Sequence, residues 1–239
     1  MSLLTVVRHA QASFLADNYD KLSPIGEEQS RLLARYWLEK GATFDQVYYG
    51  PAERHRRTGE IIADFYREAG QSWPEPVVLE ELDEFPAEAV MRTFLPTLAR
   101  EHVHLAEWMT ELRSSSDFTV RQRAFDRVLR DITNRWLSGE VSDASVPTWQ
   151  AFCARVEGAL ERILRDAPKS SRVAVFTSGG PKAVTVRTAL RLSYENTLEL
   201  TWSPRNASFS EFLFTPDRFS MSSFNSTPHL QDPALLTYR

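Results

Sequence analysis

Two basic residues end the first apolar run of this chain. Leu3 to Val7 is a short β-branched stretch suited to a buried strand, and it runs directly into Arg8 and His9. Open α/β sheets bind ligands at the carboxyl ends of their strands, so a cation and an imidazole delivered there are placed for an anion. The pattern recurs. Phe44 to Tyr49 reads as a second strand and leads into Gly50-Pro51-Ala52-Glu53-Arg54; Val173 to Thr177 reads as another and leads into Ser178-Gly179-Gly180 at a helix start. Glycines let the backbone approach an anion, and a helix N-terminus offers free N–H groups with a favourable dipole. Arginine adds a planar fork that matches phosphate oxygens. Together these residues describe a pocket for a phosphoryl group. A neutral imidazole there can attack phosphorus and hold the group covalently, while the guanidiniums stabilise the transition-state charge. The leaving alkoxide needs a proton, and Glu80, Glu81, Asp83 and Glu84 after the short strand Val77 to Leu79 all fit that description equally.

The elements that must position these residues alternate strand and helix, which predicts an α/β fold. Its expected form is a three-layer α/β/α arrangement with a mostly parallel sheet and helices on both faces. Ser23-Pro24 predicts a capped helix start, with Ile25, Leu32, Leu33, Tyr36 and Trp37 on one face and Gly41 at its end. Ile61, Ile62, Phe65 and Tyr66 predict an amphipathic helix after Arg54. From 86 to 147 helical spacing dominates (Val90, Phe94, Leu98; Phe125, Val128, Leu129, Ile132, Trp136), so this stretch reads as a helical cap inserted into one domain spanning 1–239. A helix over Thr148 to Asp166 and another from Lys182 to Leu192 follow, and Leu198 to Trp202, Ser208 to Phe214 and Arg218 to Phe224 read as edge strands, the last two as a hairpin.

Composition bounds the function. With 239 residues, 42% hydrophobic and 25% charged, the chain has the make-up of an ordinary globule. A net charge of −4 gives no reason to expect nucleic acid, and no basic run suggests a membrane surface. No signal peptide or membrane span is expected, so the expected location is cytoplasmic. The single cysteine, Cys153, falls in a helical pattern and is expected as a core residue; the histidines do not group at metal-ligand spacing, so neither metal nor cofactor is expected. The aromatic residues of 86–147 are expected as core or as the interface of a homodimer.

The residues carry a family resemblance. Val7-Arg8-His9-Ala10 resembles the Arg-His-Gly/Ala signature of the histidine phosphatase (phosphoglycerate mutase-like) superfamily. Leu22-Ser23-Pro24-Ile25-Gly26-Glu27-Glu28-Gln29 is similar to its Leu-Thr-x-x-Gly-x-x-Gln helix, and Gly50-Pro51-Ala52-Glu53-Arg54-His55-Arg56-Arg57-Thr58 resembles its Ser-Pro-Leu-x-Arg-Ala-x-x-Thr segment. The resemblance covers 3–85 and roughly 150–230, with the helical stretch where the family carries a variable cap. It implies His9 as the phosphorylated nucleophile, Arg8 and Arg54 as phosphate ligands and, from the Leu82-Asp83-Glu84 context, Glu84 as the acid. Gln11 and Ser13 are implied as substrate contacts in the loop after the nucleophile, Ser178 and Gly179 as substrate-binding groups of the late turn, and Asn206 and Ser208 as mostly structural.

One departure is serious. The family's second histidine sits in a Ser-His-Gly-Gly turn, and here the turn reads Thr177-Ser178-Gly179-Gly180. A serine hydroxyl can donate a hydrogen bond but brings no charge, and losing a charged donor costs on the order of a hundredfold in rate. His55 is adjacent to Arg54 on a helix and so is expected to point about 100° away from it. Lys182 is a candidate to reach back to the turn, His229 is expected as a packed C-terminal residue, and His102 and His104 as solvated or substrate-facing. Ser178 lacks the Gly-x-Ser-x-Gly elbow of a serine hydrolase. The expected function is hydrolysis of a small phosphomonoester through His9, with a small phosphorylated substrate or inorganic phosphate as ligand. The rivals are a non-catalytic phospholigand-binding protein and, less favoured, a phosphoglycerate-mutase-type phosphotransferase.

Overall fold

The computed structural model describes residues 1–13 and 20–238, so 14–19 of the polar loop lie outside the described residues. The chain divides into two compact units, one formed by 1–84 with 153–239 and the other by 85–152.

The first unit is built on a six-stranded sheet in the order β3-β2-β4-β1-β5-β6. Strands β1 (Ser2–Arg8), β2 (Gln46–Tyr49), β3 (Val77–Val78) and β4 (Arg172–Thr177) run parallel, while β5 (Phe209–Thr215) and β6 (Arg218–Ser226) form an antiparallel hairpin beside β1. Successive strand residues point to opposite faces, and the core divides accordingly. On one face Leu4, Val6, Tyr48, Val173, Val175, Phe212 and Phe214 pack with Ala159, Leu160 and Ile163 of the helix Trp149–Asp166 and Val186 of the helix Gly179–Leu190. On the other, Val7, Val47, Tyr49, Ala174, Phe176 and Phe209 pack with Leu33, Ala34 and Trp37 of α1 (Pro24–Glu39) and Ile62 and Tyr66 of α2 (Glu53–Glu68). This is the expected α/β sandwich with helices on both faces.

Helix α1 begins as its sequence predicts, with the Ser23 hydroxyl accepting from the Gly26 N–H at 3.1 Å and Pro24 in the first position. Ile25 is a correction: it is 39% exposed, and the buried face carries Gly26, Gln29, Ser30, Leu33, Ala34 and Trp37 instead. At Gly26 a Cβ would lie 2.1 Å from the Gln11 carbonyl oxygen, so the close approach of two backbones demands glycine there.

The second unit holds α3 (Ala87–Glu101), α4 (Val103–Ser114) and α5 (Phe118–Ser138). Val90, Phe94, Leu98, Leu105, Val128, Leu129, Ile132 and Trp136 are buried within it, as helical spacing predicts; Phe125 is half-buried. Phe85, Trp136, Trp149 and Phe152 stack as an aromatic cluster with centroids 5.2 to 6.1 Å apart.

In chain order α6 is Trp149–Asp166, α7 Gly179–Leu190 and α8 Tyr194–Leu200. Helix α8 overturns the strand expected at Leu198 to Trp202: Ser193 caps it, accepting from the Asn196 N–H at 3.2 Å. No helix is long and apolar enough to cross a membrane, among the described residues.

Candidate active site

The sheet order brings three strand ends together. Register pairs Arg8 with Thr177 and Tyr49 with Phe176, so β4 lies between β1 and β2 and the residues that follow, His9, Ser178 and Gly50, emerge along one edge. Backbone bonds fix His9 from both sides. Its N–H donates to the Thr177 carbonyl at 2.8 Å, and its carbonyl accepts from Ala207 N–H at 3.2 Å and Asn206 Nδ2 at 3.3 Å. Ala10 N–H donates to Thr58 Oγ1 at 3.1 Å, and that hydroxyl donates to the Arg54 carbonyl at 2.7 Å, tying the loop to the first turn of α2.

The ring of His9 is held as firmly. Nδ1 lies 2.7 Å from the Ala10 carbonyl, which can only accept, so Nδ1 carries the proton and the neutral ring keeps its lone pair on Nε2. Burial, then Arg54, Arg8 and His55 in that order, hold its titration well below the usual histidine range. The residue is 3% exposed and uncharged at neutral pH. A nucleophile requires this state.

Arg8 and Arg54 flank it. Arg8 is buried and donates through Nη1 to the Pro204 carbonyl. Arg54 donates through Nη1 to Asp20 at 2.6 Å and through Nη2 to Ser178 Oγ at 3.3 Å. Ala52 offers α2 no side-chain cap, and Asp20 supplies one from outside the helix, accepting from the Glu53 N–H at 2.7 Å and the Arg54 N–H at 3.4 Å.

Of the four candidate acids, Glu84 reaches the start of α7. Both its carboxylate oxygens accept from the Gly180 N–H, at 3.1 and 3.2 Å. A Cβ on Gly179 would stand 3.9 Å from Glu84 Oε2 and 3.9 Å from Arg8 Nε, so these three residues surround one point. The Leu82 carbonyl accepts from Thr177 Oγ1 at 2.6 Å, and Arg155 Nη2 donates to the Asp83 carbonyl at 2.7 Å, which fixes the segment. Glu81 instead pairs with Arg162 at 3.0 Å, and Asp83 accepts from the Glu84 N–H at 2.8 Å. The Gly180 amide, expected to face an anion directly, is taken by the Glu84 carboxylate.

Gln11 is directed to the start of α1: its Oε1 accepts from Ser23 Oγ at 2.7 Å, and its N–H donates to Gln29 Oε1 at 2.8 Å. Ser13 donates its N–H to the Lys21 carbonyl at 2.8 Å. Lys182 does not reach back to the turn. It is fully buried and donates to Ser208 Oγ at 2.7 Å and the Ser208 carbonyl at 2.8 Å. His229 is packed against Tyr36 and Phe209, as expected, and His104 lies 3.3 Å from Asp131 within the helical unit. Cys153 is buried with its thiol pushed up to about 12 by desolvation, which makes it an inert core residue. No group of histidine, cysteine and carboxylate side chains suited to a metal occurs among the described residues.

His55 corrects the expectation that it would point away. Its Nε2 lies 2.6 Å from Ser178 Oγ, and its ring centroid 5.7 Å from that of His9. Side chains in a first helical turn lean toward the N-terminus, so Arg54 and His55 both reach past the end of α2 and meet at one small hydroxyl. Gly50 makes the room: a Cβ there would sit 2.4 Å from His55 Nδ1 and 2.8 Å from the Leu82 carbonyl oxygen. Gly50→Ala is therefore expected to cost about 1–3 kcal/mol of stability, seen as a lower denaturant midpoint at unchanged slope.

Four buried bases share one sign of shift. His9 and His55 lie well below 6.5, His229 falls to about 4, and Lys182 lies well below 10.5, each chiefly by burial. Between such a depressed value and the ordinary one, the unfolded chain binds a proton that the folded chain does not, so stability rises with pH. For the histidines the window opens at 6.5 and reaches down to about 4 for His229. His229 alone accounts for roughly 3 kcal/mol across it. Thermal unfolding is expected to move to lower temperature as pH falls through this window, and His229→Phe to weaken that dependence.

The comparisons agree with the fold. No curated protein matches the sequence significantly. Among solved structures, a mutant phosphoserine phosphatase from Entamoeba histolytica in complex with phosphoserine is 19% identical, with a TM-score of 0.63 over 96% of this chain and 100% of that one. A putative α-ribazole-5′-phosphate phosphatase from Escherichia coli is 16% identical, with a TM-score of 0.61 over 95% and 98%. The mycobacterial glucosyl-3-phosphoglycerate phosphatase is 15% identical, with a TM-score of 0.61 over 94% and 99%. The model of the histidine phosphatase superfamily (branch 1) matches residues 4–227, nearly the whole sequence, and the chain belongs to that family.

Proposed function

We propose that this protein is a phosphatase that hydrolyses a small phosphomonoester through a phosphohistidine at His9. The observation that carries the reading is the bond from His9 Nδ1 to the Ala10 carbonyl at 2.7 Å, which leaves an uncharged Nε2 beside two guanidiniums. In the first step the Nε2 lone pair forms a bond to phosphorus as the ester P–O bond breaks. Glu84, entering as the acid, gives its proton to the departing alkoxide. Water then attacks the phosphohistidine and passes a proton to the Glu84 carboxylate; the N–P bond breaks, its electron pair returns to Nε2, and inorganic phosphate leaves. Arg8 and Arg54 hold the equatorial oxygens throughout, and no metal or organic cofactor takes part.

Solved relatives include enzymes described as phosphatases, one of them with phosphoserine bound, which supports a small phosphorylated metabolite as the ligand class. The helical unit 85–152 is read as the family's variable insertion and a source of substrate choice. The test is release of phosphate from an aryl phosphate and a panel of alkyl phosphomonoesters between about pH 4 and 9. Hydrolysis without added metal, retained in a chelator, is the expected result. No hydrolysis of any ester, with phosphate still bound, would instead favour a binding protein.

A further inference from the structure

We infer that His55 is a positioning residue that acts through the Ser178 hydroxyl, so that the pair supplies from α2 the charged donor that a histidine at 178 would bring from the β4–α7 turn. The inference rests on the phosphoryl-transfer reading of the site. Three departures from the family pattern coincide here: Gly50 where the pattern has serine, His55 where it has alanine, and Ser178 where it has histidine. In the fold they form one contact. His55 Nε2 lies 2.6 Å from Ser178 Oγ, neither residue is exposed, and the missing Cβ of Gly50 leaves the space that His55 Nδ1 fills.

The hydrogen-bond roles suggest how the pair works. Arg54 Nη2 donates to Ser178 Oγ at 3.3 Å. With that bond made, the hydroxyl can give its own proton to Nε2, 2.6 Å away, and the neutral ring accepts it there. In that state the hydroxyl presents only a lone pair to an incoming phosphoryl oxygen. Uptake of one solvent proton by the imidazole reverses the chain: Nε2–H then donates to Oγ, and the hydroxyl proton donates to the phosphoryl oxygen. No covalent bond changes. Burial first, and then Arg54 on the same helix, hold His55 neutral until an anion arrives; the uncharged His9 from the end of β1 is the other titratable group that faces it.

A bland alternative gives His55 the role of filler beneath the turn, and the test separates the two. Turnover of an aryl phosphate and affinity for orthovanadate are measured for wild type, His55→Ala, His55→Gln, Ser178→Ala, Ser178→His and the double variant His55→Ala/Ser178→His. Circular dichroism confirms each fold. Loss of a charged donor predicts a fall of about a hundredfold in kcat, with a smaller change in KM, for His55→Ala, His55→Gln and Ser178→Ala. Ser178→His alone stays low, because His55 already occupies the space. The double variant recovers to within about tenfold of wild type, because it returns the imidazole to the turn. Vanadate affinity of the wild type is expected to fall with rising pH, and that dependence to be lost in His55→Gln, which fills the same volume without titrating.

Folded His55→Ala and His55→Gln proteins that turn over within about threefold of wild type would overturn the inference, as would a folded double variant with no recovery. If the wild type hydrolyses nothing while vanadate affinity falls in His55→Ala and returns in the double variant, the phosphatase reading fails and the pairing stands. If wild-type turnover proceeds and the His55 variants match it, the pairing fails and the phosphatase reading stands.

Discussion

Replacing His9 by alanine is expected to lower turnover by at least about a thousandfold while leaving the fold and phosphate binding in place. The expectation follows from how little else in the site could take the nucleophile's role. His55 is turned to Ser178, His229 is packed against Tyr36 and Phe209, and Lys182 is spent on Ser208. The Ser178 hydroxyl is held by Arg54 and His55. The fold should tolerate the change because the main chain at residue 9 is anchored by Thr177, Ala207 and Asn206, none of which touches the imidazole through these bonds. Phosphate binding should persist because Arg8 and Arg54 are fixed by Pro204 and Asp20, independently of the ring. Steady-state kinetics and phosphate titration of the variant check both halves.

Glu84→Gln is the second large effect, and its size should depend on the substrate. Glutamine keeps an acceptor oxygen for the Gly180 N–H, so the start of α7 is expected to survive the change. It has no proton to give. For an alkyl phosphate, whose leaving alkoxide is strongly basic, the loss should be about a hundred- to ten-thousandfold in kcat. For an aryl phosphate with an acidic phenol the leaving group departs unaided, and the first step should be nearly unchanged. The ratio between the two substrate classes therefore reports on proton donation itself. An equal loss on both in kcat/KM, which reports phosphorylation and not the later attack of water, would place Glu84 in a structural role at the α7 terminus. Glu81→Gln, which removes a charge from the Arg162 pair at the surface, should leave both rates close to wild type.

Much of this site was legible along the chain because its parts are local. A β-branched run ending in Arg8-His9, the Ser23-Pro24 cap and the Ser178-Gly179-Gly180 turn each declare themselves within a few residues. Glu84 is singled out by the family resemblance alone, and the contacts that place it lie where no local pattern reaches: the Gly180 amide, Thr177 on Leu82, and Arg155 on Asp83. Helix α8 was misread because Leu198, Leu200 and Trp202 alternate like a strand, whereas Ser193 starts a helix that buries Thr197 and Leu198. The cap residue was the better signal.

The expectation that His55 points away from Arg54 holds at mid-helix and fails at a helix end. Neighbours on a long cylinder diverge, but in the first turn they can converge on a group beyond the terminus. The glycine at 50 was the available clue, since a glycine just ahead of Arg54 marks a close approach of something large, and that something is the His55 ring. Lys182 was equally hard to place. Its two bonds to Ser208 depend on the β1–β5 pairing, which no sequence spacing encodes.

The central claim is the phosphorylated intermediate on His9, and one measurement addresses it directly. The enzyme is mixed with a radiolabelled aryl phosphate, quenched in alkali within milliseconds, digested and mapped by mass spectrometry. A phosphoramidate is stable in alkali and lost in acid, so label on the peptide containing His9, approaching one phosphate per chain and absent from His9→Ala, is the predicted result. Turnover with no label on any histidine at the earliest times, or label retained in His9→Ala, would contradict it.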